Sequence, residues 1–335
     1  MIAAAALVCA VGMAISVLIQ AGRPHRGFPE SSRVVVIQPG DSARAAAEKL
    51  EQEGVIQSAV VFRLLMKLRG AGGRIHAGEY QFEALMTPNE VLGKLLRGDV
   101  VTHRLTIPEG LRLDEVADLV SESSFGDRAA FLRAAGSADL VKDLDPRAQD
   151  LEGYLFPETY FFARGTSEQR IVAEMVRRFR EALTTARLDR MGEIGLTLRQ
   201  AVTLASLIEE EARLDDERPR IAAVFHNRLR RGMLLQCDPT VVYALTRAGR
   251  YRGEIYKSDL SFRSPWNTYA HAGLPPGPIS SPGIRSLDAA LHPAPVGDLY
   301  FVVSGEGRHR FSSTLADHQQ AVRLYRREHA ANRRR

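Results

Sequence analysis

The chain has 335 residues, 45% of them hydrophobic and 25% charged, and a formal net charge of +5. That balance is globular, long enough for two domains, and excludes a mostly disordered protein. Only five of the 45 basic residues are lysines, arginines such as Arg177, Arg178 and Arg180 are interleaved with acids, and no nucleic-acid motif accompanies them, so the excess charge is no nucleic-acid footprint.

Ile2 to Ile19, IAAAALVCAVGMAISVLI, is almost unbroken in its apolar character. It has a length that just crosses a bilayer, and residues 1–21 are expected to form a transmembrane anchor. A cleaved signal peptide is the competing expectation, but neither a basic start nor a small-x-small cleavage site with polar flanks is present. Arg23, His25 and Arg26 follow the run and nothing basic precedes it, which opposes the positive-inside rule for a domain outside the cytoplasm. Cys9 lies within the run, where no lipoprotein box surrounds it, and Cys237 stands alone beyond it, so no disulfide joins the soluble parts.

GRPHRGFPESS, residues 22–32, reads as a linker. A strand is expected at Arg33 to Ile37, a turn at Pro39-Gly40, and then a helix capped by Asp41 or Ser42. GEYQF and TPNEVLGKLLRG supply a further strand and a capped helix. About seventy residues after the first unit, HRLTIPEGLRLDEVADLV repeats strand, Pro/Gly turn and helix. Residues 33–122 are therefore expected to form a small α+β module with helices on one face of a sheet. Residues 123–330 form the second domain, mainly helical to Gly195 apart from LEGYLFPETYFF, and a basic tail occupies 331–335.

LASLIEEEAR places three glutamates at the end of an apolar run. Leu204, Leu207 and Ile208 share one helical stripe, and the position extending it is Glu211, whereas Glu209 and Glu210 point elsewhere. A carboxylate on that stripe either reaches water or an arginine at the frayed helix end, or holds a proton as a catalytic acid. RPRIAAVFHNRLRRG is a second helix ending at Gly232. Beyond it the chain is dense in Pro, Gly and Asn through LQCDPTVVYAL and SPWNTYAHAGLPPGPISSPG. Loops of that length are costly unless they build a site. Gln236, Trp266, Asn267 and Tyr269 are the side-chain types that line sugar grooves, although Trp266 and Tyr269 also serve to pack loops.

LEGYLFPETY, ASLIEEEAR, VFHNRLRRGMLLQCDPTVVYAL, WNTYAHAGLPPGPISSPG and LYFVV, in this order, resemble the MltG/YceG family of membrane-anchored endolytic murein transglycosylases. The resemblance covers almost the whole chain. It implies an α+β fold with a LysM-like module at 33–122 and a mixed α+β YceG-like catalytic domain. The implied activity is cleavage of the β-1,4 MurNAc-GlcNAc bond within nascent glycan strands, leaving 1,6-anhydro-MurNAc ends. The family's catalytic glutamate is the last acid of its E-x-E motif, which carries over to Glu211. Glu152 resembles an acid lining the family's cleft. Gln236, Asp238 and Asn267 match polar motif positions, while Trp266, where the family more often shows Tyr, and Tyr269 are placed to stack on sugar rings. Asp238 before Pro239 also fits a turn or helix cap.

The resemblance also implies peptidoglycan strands, the inner-membrane bilayer and cell-wall synthases as partners, an extracytoplasmic catalytic domain, and no cofactor. Members of the family have carried an aminodeoxychorismate lyase label, which would require pyridoxal phosphate. The second half of the chain holds only Lys257, in a polar loop, so a Schiff-base enzyme is not expected. His226, His271, His292, His309 and His318 lack metal-ligand spacing, so no metal site is expected. Two alternatives stay open: a hydrolytic muramidase using Glu152 or Asp238 as second carboxylate, and a non-catalytic glycan-binding scaffold.

Overall fold

A computed structural model describes residues 12, 15–17, 19–304 and 307–332. The expected anchor lies largely outside the described residues, and among these no helix is long and apolar enough to cross a membrane. The basic tail is likewise mostly outside them. The chain divides into two compact units, residues 1–104 with 161–166, and residues 105–160 with 167–335. The module expected over residues 33–122 is therefore longer than this first unit.

In the first unit β1 (Arg33–Ile37) is followed by α1 (Ala43–Gln52), α2 (Ala59–Leu68), β2 (Gly78–Phe82) and α3 (Pro88–Arg97). β1 pairs antiparallel with β2, from Arg33 opposite Phe82 to Ile37 opposite Gly78. Alternation puts Val35 and Ile37 inside, each 2% exposed, and leaves Val34 and Val36 outside. The inner strand face joins Leu50, Phe62, Leu65 and Leu95 in one apolar core, each large side chain worth about 1.5–3 kcal/mol on burial. The helices start where their caps dictate: Ser42 accepts from Ala45 N, Ser58 from Val61 N, and Thr87 forms a capping box with Glu90.

β3 (His103–Thr106) and β4 (Thr159–Phe162) form a second two-stranded sheet, with the Thr106 and Thr159 hydroxyls 3.1 Å apart. Between them in sequence come α4 (Leu113–Glu122) and α5 (Arg128–Ala135). There follow α6 (Glu168–Ala182), α7 (Thr185–Glu193), α8 (Leu198–Glu211), α9 (Arg218–Arg230), α10 (Asp238–Arg247) and α11 (Ile284–Leu291). β5 (Tyr300–Val303), β6 (His309–Ser312) and α12 (Leu315–Asn332) complete the chain. β5 and β6 pair antiparallel, Tyr300 opposite Ser312 through Val303 opposite His309. The fold is mixed α+β, with small two-stranded sheets and most of its mass in helices.

The second unit is organised around α8. Its start is fixed by a capping box in which Thr197 Oγ1 accepts from Gln200 N and Gln200 Oε1 accepts from Thr197 N. Helices α7, α9, α10 and α11 all touch it. Ala201 through Ile208 are buried around the full circumference, Thr203 and Ser206 included. A helix enclosed on all sides has no solvent face, so its apolar stripe is a subset of what it buries. Ser206 Oγ donates to Thr203 O at 2.7 Å and accepts from Ile279 N at 3.1 Å. That exchange ties the Pro-rich loop after residue 275 onto the helix.

Candidate active site

Each of the three consecutive glutamates meets a different environment. Glu209 is buried, its side chain 6% exposed, with Oε1 2.9 Å from Arg218 Nη2 and Oε2 accepting from Gly283 N at 2.9 Å. It therefore joins α8, α9 and the start of α11, and serves the packing of these helices rather than standing as a solvated charge. Glu210 keeps solvent contact beside Gly110. Its carboxyl is pushed up to about 7 by desolvation, with Glu115 and Glu209 adding like charge.

Glu211 is the last residue of α8, where the chain leaves the helix through an extended Ala212. Its exposure is intermediate, but protein surrounds the carboxyl, and desolvation carries it from 4.5 to about 7. The Cys237 thiol and the Arg228 guanidinium oppose that rise, whereas the charges of Asp238 and Glu210 add to it. Burial outweighs the two favourable neighbours, so the carboxyl holds its proton near neutral pH.

Loops and the start of α10 surround this acid. Cys237 is 1% exposed and is fixed by a closed set of bonds: its N–H donates to Thr268 Oγ1 at 3.0 Å, Thr240 Oγ1 donates to its carbonyl at 2.6 Å, and the two threonine hydroxyls are 2.9 Å apart. Asp238, exposed at the first turn of α10, accepts from the Tyr269 hydroxyl at 2.5 Å. The N-cap of that helix is Cys237, which makes no side-chain cap bond, and Asp238 is its first helical residue. Gln236 is exposed in a left-handed conformation with φ 51°, and its N–H donates to Thr268 O at 3.2 Å. For a residue bearing a Cβ that conformation stores about 1 kcal/mol or more, held by the surrounding structure.

Arg228, 8% exposed, donates from Nε to Leu299 O at 2.6 Å and from Nη1 to Leu235 O at 2.7 Å, and lies over the Tyr300 ring. Burial lowers its pKa, yet a guanidinium stays charged, so a fixed cation stands near Glu211.

Asn267 is fully buried. Its amide donates to Leu260 O at 3.0 Å and Phe262 O at 2.8 Å, and its oxygen accepts from Tyr269 N at 2.9 Å. All of its polar capacity described here goes to its own loop.

Glu152 and Trp266 belong to a separate cluster. Glu152, 7% exposed, accepts from Leu113 N at 3.0 Å and from the Tyr243 hydroxyl at 3.2 Å. Desolvation pushes its carboxyl up to about 8. The Tyr243 ring lies 5.8 Å from the Trp266 ring, and the Arg247 guanidinium sits over both. These residues line a cavity of about 360 Å³ with Arg147, Arg199 and the segment Pro276–Pro278. Gly153 forms part of the support: with φ 81° it brings its backbone so close to Pro278 that a Cβ would sit 2.4 Å from that ring's Cβ.

Thus Glu211, Gln236, Asp238 and Tyr269 come together, Glu152 and Trp266 gather elsewhere in the same unit, and Asn267 braces the loop carrying Trp266 and Tyr269. Cys237, Arg228 and Arg247 were not singled out from the sequence. Arg228 was open to the same argument as Glu211, because it extends the stripe of Ile221, Val224 and Phe225 by one turn. Among the described residues no group of three or more His, Cys, Asp or Glu side chains could hold a metal ion.

The profile of the YceG-like family matches residues 35–324. The chain belongs to the YceG-like family. An endolytic murein transglycosylase of Bacillus subtilis is 33% identical over 305 residues, covering 86% of this chain and 83% of that protein. One of Streptococcus pneumoniae is 28% identical over 318 residues, covering 86% of this chain but only 57% of its own length. The crystal structure of a yceG-like protein from Listeria monocytogenes superposes with a TM-score of 0.59 at 34% identity, over 87% of this chain and 99% of that one. The family assignment from the five ordered motifs is thereby established.

Proposed function

We propose that this YceG-like chain is a lytic transglycosylase of peptidoglycan, with Glu211 as general acid and then general base. The observation that carries the reading is the desolvated Glu211 carboxyl at the end of a buried helix, raised to about 7 and ringed by the Gln236–Asp238 segment and Tyr269. The names of the Bacillus and Streptococcus relatives support the same activity.

In the proposed reaction the protonated Glu211 gives its proton to the glycosidic oxygen as the bond from C1 of the muramyl ring breaks. The C6 hydroxyl of the same ring bonds to C1, and the Glu211 carboxylate takes up the hydroxyl proton. The acid is restored, and the products are a new 4-hydroxyl and a 1,6-anhydro end. Attack from within one ring gains effective molarity that a free water lacks. Arg228 holds positive charge near the carboxylate during the interval in which it is ionised, and Tyr269 and Gln236 are offered to the sugar. Hydrolysis needs a second carboxylate. Asp238 stands closest to that role, since Glu152 is engaged with Leu113 and Tyr243 in the other cluster.

The apolar segment before residue 22 supports anchoring to the inner membrane, with the catalytic unit on the extracytoplasmic side beside cell-wall synthases. The part of the expected 33–122 module that falls in the first unit, residues 33–104, is proposed as LysM-like. Mass spectrometry of glycan digested by the protein and by Glu211→Gln tests the chemistry. Anhydro-muramyl ends from the parent and none from the variant are expected. Reducing ends would instead indicate a muramidase, and no new ends from either protein a glycan-binding scaffold.

A further inference from the structure

The cavity beside Glu152 is not made for a neutral sugar. Three arginines line it, Arg147, Arg199 and Arg247. Against them stand Asp150 in the wall and Asp145, which is committed to Arg199 at 2.9 Å and to the Tyr154 hydroxyl at 2.5 Å. Burial holds Glu152 toward its neutral form. The wall therefore carries more positive than negative charge, and an uncharged N-acetylhexosamine offers nothing to offset it.

Two further features point to an occupant. Arg247 lies over the Tyr243 and Trp266 rings, its guanidinium carbon 5.6 and 4.9 Å from their centroids, and donates to the Tyr243 hydroxyl at 3.0 Å. Asp150 is 3.8 Å away, too far for a hydrogen bond. A guanidinium held over two rings, with one hydrogen bond among the described residues, has donors left for a carboxylate. In the same wall the indole N–H of Trp266 is buried without a partner among the described residues. A donor left in that state costs about 1–3 kcal/mol and marks this wall as incompletely satisfied.

Position supplies the ligand class. Asp238, beside Glu211, opens α10, and Arg247 closes it. Nine helical steps separate them, about 14 Å at 1.5 Å per residue. An extended peptide of four residues spans about the same length.

We propose that this cavity binds the acidic stem peptide borne by a muramyl residue near the scissile bond, with Arg247 receiving a peptide carboxylate. The inference rests on the peptidoglycan reading above and deepens it: the substrate is peptide-bearing glycan, and the peptide contributes to positioning the sugar at Glu211.

Trp266 is the only tryptophan in the chain, so its emission reports the cavity without reference to catalysis. The full chain is titrated with synthetic N-acetyl-L-alanyl-γ-D-glutamyl-L-lysyl-D-alanine, whose acylated amine leaves it net negative as in the stem, and in parallel with chitotetraose, by tryptophan fluorescence and by calorimetry. A saturable response to the peptide and none to the neutral sugar is expected. Arg247→Gln should weaken the peptide at least about tenfold, and Arg147→Gln by a smaller factor, since each removes a charge-assisted contact. Because Arg247→Gln also alters the indole's surroundings, calorimetry gives the affinity for that variant, and circular dichroism verifies its fold. No response to the peptide, equal affinity in both variants and the parent, or an equal response to chitotetraose would overturn the inference. Glycan cleavage without peptide binding would leave the proposed function standing and remove this site. Peptide binding without cleavage would keep the site and remove the function.

Discussion

Replacing Glu211 by glutamine should sharply reduce activity and, at the upper end of the pH range only, stabilise the protein. Moving a carboxyl from 4.5 to about 7 means that the folded chain keeps a proton that the unfolded chain has lost. Stability is then fully present below pH 4.5 and falls as pH rises towards 7, after which the loss is constant. At 1.36 kcal/mol per pH unit, that loss reaches about 3 kcal/mol at pH 8, an upper figure because Glu211 retains partial solvent contact. Glutamine has nearly the same shape as the protonated acid and does not titrate. Urea unfolding of parent and variant should therefore agree within about 0.5 kcal/mol at pH 4 and differ by up to about 3 kcal/mol in the variant's favour at pH 8. Activity should fall by a factor of about 100 or more, the usual yield of a general acid. A stability difference of the same size at both pH values, or a parent more stable than the variant at pH 8, would refute the account of a carboxyl raised by burial.

Asp238→Asn removes a negative charge that helps to raise Glu211 while keeping an acceptor for the Tyr269 hydroxyl. The acid should lose its proton sooner, moving the alkaline limb of the pH–rate profile down by roughly half a unit or more; an upward shift would contradict the geometry. Glu209→Gln removes one of the two close carboxylate partners of the buried Arg218, Asp215 remaining, and should cost about 1–2 kcal/mol in urea unfolding at pH 7, in contrast to the gain at Glu211 two residues away. Gly153→Ala forces a Cβ against Pro278 at a left-handed backbone position. The expected loss of about 3 kcal/mol should lower the melting temperature by roughly 10 °C in a calorimetric scan.

The first module was readable because its signals are local. Strand alternation in Arg33 to Ile37 and GEYQF, and caps at Ser42 and Thr87, need only near neighbours in sequence, and the structure places β1, β2, α1 and α3 accordingly. α2 was not separated out, because AVVFRLLMKL is a short apolar run whose period fits more than one element. α10 was read as part of a Pro-rich loop, whereas Pro239 sits in the first turn, where a missing N–H costs nothing.

At the site the stripe argument pointed to Glu211 but was silent on Glu209, since enclosure by four helices is a tertiary fact. The grouping of Glu152 with Trp266, and of Asp238 with Tyr269, also depends on loops meeting across long separations in sequence. For Asn267 the amide was legible as polar, but the carbonyls of Leu260 and Phe262 that receive its hydrogens were not.

The ending of α8 at Glu211 has an electrostatic consequence. The carbonyl dipoles of a helix sum to roughly half a negative charge at its C-terminal end, where side-chain preference is for lysine or arginine. A carboxylate there faces a field of its own sign, worth about 0.3–1 kcal/mol, and so is urged toward the neutral form by backbone alone. Variants that wind the helix on past Ala212 would carry those last carbonyls away from the acid and relax that pressure with every side chain unchanged.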